Sequence, residues 1–279
     1  MSKLSVVLDA CVLFPMYLRD TLLSTAEAGL YLPYWSQKIL DEAMSNLVRQ
    51  GILCQEKAIN LEAEIDAAFP EAIIEVPVGL EQIMKNDPKD RHVLAAAVKA
   101  NADVIVTSNL ADFKEKDLAP WNIKSLSPDE FMSELFDGYP DLIVRVLRQQ
   151  SEKYKKPPKT VAELLEFLEK KAGMPKFASD ILLYEYSRDI VQTAETLLRN
   201  YGRQIPEGGK FLQGERYRIW QQEKTLTITA KDGRGEILRF QNQEIQGNIS
   251  SEDVKALKIF AQSLDGELTI NRVEEQQAD

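Results

Sequence analysis

Along the first 136 residues, apolar positions alternate between short continuous runs and helical spacing. Leu4-Ser-Val-Val-Leu8 is a short apolar run that closes at Asp9 and predicts a strand. From Arg19, Leu22, Leu23, Ala26 and Leu30 recur at helical intervals, and Gly29 marks the end. Tyr31–Trp35, Ala72–Val76, Asp103–Thr107 and Asn122–Leu126 predict further strands, the last at a sheet edge. Ser36 fits an N-cap ahead of Ile39, Leu40, Ala43, Leu47 and Val48, and Gly51 stops that helix. Lys57–Phe69 and the alanine-rich Asp90–Ala100 predict two more helices. Strands alternating with helices predict an α/β domain in three layers, with a small, mostly parallel sheet between helices.

The pattern then becomes helical. Pro128-Asp-Glu opens a segment through Phe131, Leu135 and Phe136, and Asp141–Tyr154 puts Ile143, Val144 and Leu147 on one face. Thr160 and Glu163 have capping-box spacing ahead of Leu164, Leu165 and Leu168. Ser179 or Asp180 opens a helix to Asn200, and Lys153–Pro158 is the linker candidate. Beyond residue 205 the period falls to two. Tyr217–Trp220, Leu226–Thr229 and Ile237–Phe240 alternate as strands do, and Asp232-Gly233 marks a hairpin turn. Ser250-Ser251 can cap a last helix, Glu252–Leu264, and the tail after Gly266 is polar and expected to fray. The expected division is 1–136, a helical extension over 137–204, and a small β-rich appendage over 205–279 with a final helix.

Composition narrows the function. The net charge is −10, of which residues 1–136 carry −9, so tight nucleic-acid binding through a globally basic surface is excluded. Cations set among carboxylates could still recruit a polyanion. Cys11 and Cys54 are too few for a disulfide framework and sit among apolar residues, so both are expected to be buried free thiols in a reducing cytoplasm. No signal-peptide pattern and no run of the ~20 apolar residues a spanning helix needs is present, so a cytoplasmic protein without membrane attachment is expected.

The chemistry lies in acids placed after strands. Asp9 ends the first strand. Asp41 and Glu42 lie on the helix after Trp35. Asp87 and Asp90 open the alanine-rich helix, and Asn109 and Asp112 follow the strand ending at Thr107. Open α/β sheets bind ligands at the carboxyl ends of their strands. Carboxylates converging there repel one another, and a hard cation such as Mg²⁺ or Mn²⁺ relieves that and can activate a water against a phosphodiester. No His/Cys spacing for zinc, no phosphate-binding glycine loop and no G-x-S-x-G elbow is present.

Four blocks in this order carry a resemblance: Val-Val-Leu-Asp9-Ala-Cys-Val-Leu-Phe-Pro, Trp35-Ser-Gln-Lys-Ile-Leu-Asp-Glu42, Asp87-Pro-Lys-Asp90-Arg-His-Val-Leu-Ala-Ala-Ala, and Ala102-Asp-Val-Ile-Val-Thr107-Ser-Asn109-Leu-Ala-Asp112-Phe. Over residues 4–135 the chain resembles the PIN domain family. The helices to about residue 200 resemble an extension found after some bacterial members. The resemblance implies a metal-dependent endoribonuclease using a metal-activated water, the toxin of a toxin–antitoxin pair, with an RNA substrate, a small antitoxin partner and a homodimer. It implies that Asp9, Glu42, Asp90 and Asp112 are the catalytic, metal-binding acids, with Asn109 and Thr107 assisting and Mg²⁺ or Mn²⁺ as cofactor. Many members carry Asp where Asn109 stands, which puts a second metal site in question. The competing expectation is a non-catalytic PIN-like binding or regulatory protein, or a DNA- or structure-specific nuclease.

Blander roles compete at several positions. Asp90 can be a helix cap, Asp87 a turn residue, and the sole histidine, His92, structural. Lys89, Arg91 and Arg19 are candidate phosphate contacts. The lysines of 153–159 read as a solvated linker. Tyr217, Trp220 and Phe240 read as a small core before a base-stacking platform.

Overall fold

The computed structural model describes residues 3–155, 159–206, 208–242, 244–247, 249, 253 and 255–264. It divides into two compact units, Met1–Ser179 and Asp180–Asp279.

The first unit opens with β1 (Leu4–Leu8), a one-turn α1 (Ala10–Leu13), α2 (Met16–Glu27) and β2 (Tyr31–Tyr34). Next come α3 (Gln37–Arg49), α4 (Gln55–Ala68), a short α5 (Leu80–Ile83), α6 (Arg91–Ala100) and β3 (Val104–Val106). After a short α7 (Glu115–Leu118), β4 (Lys124–Leu126) completes a wholly parallel four-stranded sheet in the order β2-β1-β3-β4. The run at Ala72–Val76 is not a strand. Only Ile73 makes an isolated parallel bridge to Trp35, so the expected fifth strand is reduced to one pairing at the β2 edge.

Packing explains the order. Val6, Val7 and Leu8 are wholly buried in the central strand, and Ala95, Ala96 and Ala97 of α6 are equally buried. Their methyl side chains let the helix lie close to its neighbours. Asn101 ends α6 in a left-handed conformation, φ 48°, which asparagine tolerates better than most residues. Ser36 caps α3 as expected, its Oγ accepting from the Ile39 N–H.

The helices α8 (Pro128–Gly138), α9 (Pro140–Lys153) and α10 (Val161–Ala172) belong to this same unit. Gln150 of α9 accepts from Thr21 of α2 at 2.9 Å in a buried bond, and Tyr154 donates to Asp20 at 2.8 Å. Phe167 of α10 meets Tyr17 edge-on. Both Ser127–Glu130 and Thr160–Glu163 form complete capping boxes. The next helix, α11 (Pro175–Tyr201), starts at Pro175 rather than at Ser179 or Asp180. A proline at the first helical position has no N–H to leave unpaired, and that signal outweighs the serine.

The second unit is a six-stranded antiparallel meander, β5 (Arg203–Gln204), β6 (Lys210–Gln213), β7 (Tyr217–Gln222), β8 (Thr225–Ala230), β9 (Gly235–Gln241) and β10 (Glu244–Gly247), paired in that order. One face packs Tyr217, Ile219, Leu226, Ile228 and Leu238 against Ile190, Ala194, Leu197 and Leu198 of α11 and Leu257 of a helix over 255–264. The hairpin turn is at Lys231–Arg234, where Asp232 accepts from the Arg234 N–H. The expected Ser250-Ser251 cap, the tail after Gly266 and the Pro157-Pro158 end of the linker lie outside the described residues.

Candidate active site

β1 and β3 are neighbours and end together. The Asp9 N–H still pairs with the Val106 carbonyl at 3.1 Å, so the residue after β1 and the residue after β3, Thr107, lie side by side. Asp9 is only 4% exposed. Its Oδ2 accepts from Thr107 Oγ1 at 2.7 Å and from the Cys11 thiol at 3.1 Å. Both bonds fall on one oxygen. Among the described residues Oδ1 accepts none, which leaves it for a ligand. Thr107 is itself completely buried, and its Oγ1 accepts from the Asn109 N–H at 3.0 Å. A one-turn 3₁₀ helix, Leu110–Asp112, follows, closed by the Asp112 N–H on the Asn109 carbonyl.

Asp90 occupies the N-cap position of α6, yet its side chain makes no capping bond. Its carboxyl is raised to about 6, first by burial, then by the negative charges of Asp9, Asp112, Asp87 and Glu42. The acids named from the sequence therefore converge on one group. Asp87 turns its own loop, accepting from the Lys89 N–H at 3.0 Å. Asp41 is not part of the convergence: on α3 it faces Gln37, which bridges it to Glu62. Glu42, one position on, is half-exposed and lies 3.3 Å from His92 Nε2.

Two neighbours were not anticipated. His92 is buried, with Nδ1 2.9 Å from the Lys89 carbonyl. That carbonyl can only accept, so Nδ1 is the donor. Nε2 stands at ion-pair distance from Glu42 but makes no aligned hydrogen bond. Cys11 adds a second donor to Asp9, and its thiol is pushed up to about 12, by burial first and Asp9 second, so it stays protonated as a donor. Cys54, expected to be buried, is exposed at the start of α4. Its apolar neighbour Ile52 is exposed as well, so this turn ahead of α4 lies at the surface. Arg19 is no phosphate contact. It is buried, and its guanidinium donates to the Leu13 and Phe14 carbonyls.

A cation suits this donor set: hard carboxylate oxygens, one of them held by two donors, around a site whose own charge is unfavourable. Among the described residues, no three His, Cys, Asp or Glu side chains are yet drawn tightly enough to hold an ion.

Residues 5–111 match the family model for the PIN domain. These residues are a PIN domain. Residues 128–182, the helices joined to it, match the VapC50 C-terminal domain. Over 96 residues the chain is 43% identical to a Mycobacterium tuberculosis (strain H37Rv) protein named "Putative ribonuclease VapC50". The match takes in 34% of this chain and 56% of that protein, so the chain spans about half the length of the relative. No solved structure matches. All four acids assigned through the PIN resemblance fall on the loops and helices at the carboxyl ends of β1 and β3 or in reach of them, although Asp112 lies one residue past the matched segment. No described helix is long and apolar enough to cross a membrane.

Proposed function

We propose that the protein is a metal-dependent endoribonuclease of the toxin type. The crowding of Asp9, Glu42, Asp87 and Asp112 onto Asp90, within a PIN domain, carries this reading. The name of the M. tuberculosis relative points the same way. Asp9, Glu42, Asp90 and Asp112 would hold Mg²⁺ or Mn²⁺, and Asn109 and Thr107 would assist. A divalent ion bound there supplies charge neutralisation for a phosphate and makes an attacking water more acidic. The chain's own residues prepare the place. Thr107 and Cys11 fix the Asp9 rotamer, and the mutual repulsion that raises the Asp90 carboxyl in the ion-free site would be relieved by a bound ion. RNA as substrate, a small antitoxin as partner, a homodimer and a cytoplasmic location belong to the same proposal.

The test is cleavage of a mixed RNA pool by the purified protein with Mn²⁺, with Mg²⁺ and with EDTA, beside Asp9→Asn. Cutting that needs metal and falls to background in the variant is the expected result. A folded, Mn²⁺-loaded protein that leaves the pool intact would favour the binding or regulatory reading, to which Asn109 in an acid's place also lends weight. Cleavage undiminished in Asp9→Asn would sink the assignment of the site.

A further inference from the structure

The second unit buries one face of its sheet and leaves the other open. Across that open face the strand register puts six residues in a single row: Arg203 opposite Phe211, Phe211 opposite Trp220, Trp220 opposite Thr227, Thr227 opposite Arg239, and Arg239 opposite Gln246. Two aromatic rings thus stand on adjacent strands, with an arginine toward each end. Trp220 is 49% exposed, although a tryptophan on a sheet is normally covered. A cavity of about 410 Å³ lies between Trp220 and Arg239 over Thr227. Beside the row, Arg218 stands in the same outward set, two residues from Trp220 on β7.

We propose that this face is a binding platform for single-stranded RNA. A base stacks on the Trp220 ring, Phe211 offers the next flat surface, and Arg203, Arg218 and Arg239 meet the backbone. The composition selects this occupant over an apolar protein surface. Outside the two rings and the arginines the face carries Thr225, Thr229, Gln213, Gln222 and Gln241, hydroxyls and amides suited to base edges, over a nearly buried Thr227, with Glu236 opposite Thr229 and Glu244 opposite Gln241 as its acids. Among the described residues, Arg203 and Arg218 take part in no ion pair, so both are available to phosphate. Arg239 is held by Glu236 at 2.7 Å and contributes less. In a chain of net charge −10, a local cationic and aromatic patch is the kind of surface that can receive a polyanion.

The choice of RNA rests on the nuclease reading of the PIN domain, and the experiment separates the two. Binding is measured by anisotropy on the full chain carrying Asp9→Asn, in EDTA, with a labelled ten-nucleotide single-stranded RNA. Trp220→Ala in that background is expected to weaken binding about 5- to 100-fold. Trp220→Phe, which keeps a ring, restores most of it. Arg218→Ala is expected to reduce the slope of log affinity against log salt by about 0.7. Trp220 is half-exposed, so its loss leaves the fold intact, which circular dichroism checks. Unchanged affinity in Trp220→Ala, or no binding by the parent chain, overturns the platform. Cleavage of the RNA pool by the chain with its acids intact is scored separately. Binding without cleavage sinks the nuclease reading alone, and cleavage without a Trp220 effect sinks the platform alone.

Discussion

Asp90 pays for its position. Its carboxyl is raised from 3.8 to about 6, so between those pH values the folded chain keeps a proton that the unfolded chain releases. Stability contributed by that proton is present below about pH 4, is lost as pH rises through about 6, and stays lost at neutral pH. The side chain is only partly buried, which makes the effect modest. Asp90→Asn is therefore expected to raise the melting temperature of the EDTA-treated protein at pH 8 by about 1–3 °C. Most of that gain disappears at pH 4, and the rise that Mn²⁺ produces in the parent protein shrinks. A melting point lowered by the substitution at pH 8 would contradict the crowding. At this scale Asp9, Asp90 and Asp112 could be found in the sequence because each follows a strand or opens a helix. Glu42 was chosen over Asp41 through the resemblance alone; helix spacing did not separate the two, which differ in partner, His92 for Glu42 and Gln37 for Asp41. The Cys11–Thr107 and His92–Glu42 contacts were hidden, because each joins residues far apart in the chain. Tyr217 and Trp220 were read together as core, although an odd separation on a strand puts them on opposite faces.

At the scale of elements, local signals were reliable where they were self-contained. The Thr160–Glu163 capping box forms as its spacing predicts, and the helix starting at Pro128 runs to Gly138 behind a second box, Ser127–Glu130, that was not read from the sequence. Ser127 Oγ accepts from the Glu130 N–H at 3.2 Å while Glu130 returns a bond to the Ser127 N–H. Ser127→Ala should cost about 1 kcal/mol, read as a lower urea midpoint at unchanged slope. The strand expected at Ala72–Val76 failed because an apolar run is not a pairing. Trp35 is the only residue it bridges among those described, and β2 ends beside it. β5, β6 and β10 are short and largely polar, and their pairing with neighbours, rather than their own pattern, makes them strands.

The whole molecule has two cores, and each should answer to its own perturbation. Calorimetry is expected to resolve two transitions, of which Mn²⁺ raises only the one belonging to the PIN-containing unit. Ile228→Ala, at a fully buried position of the second core, should lower the other by about 2–5 kcal/mol and leave the metal response untouched. A single transition moved by both would show the units to be one cooperative body. The parallel α/β layer was legible over the first 136 residues because its helices and strands alternate in sequence. The second sheet was legible only in its three central strands.

The sheets end in ways that bear on self-association. β2 carries Pro33, which has no N–H to offer, β4 is three residues long, and β5 is two residues long with an exposed arginine. Three of the four rims are thus poor templates for a further strand. The chain can leave a broad sheet face open to solvent without inviting copies of itself to extend it, because growth into fibrils proceeds through rims and not through faces.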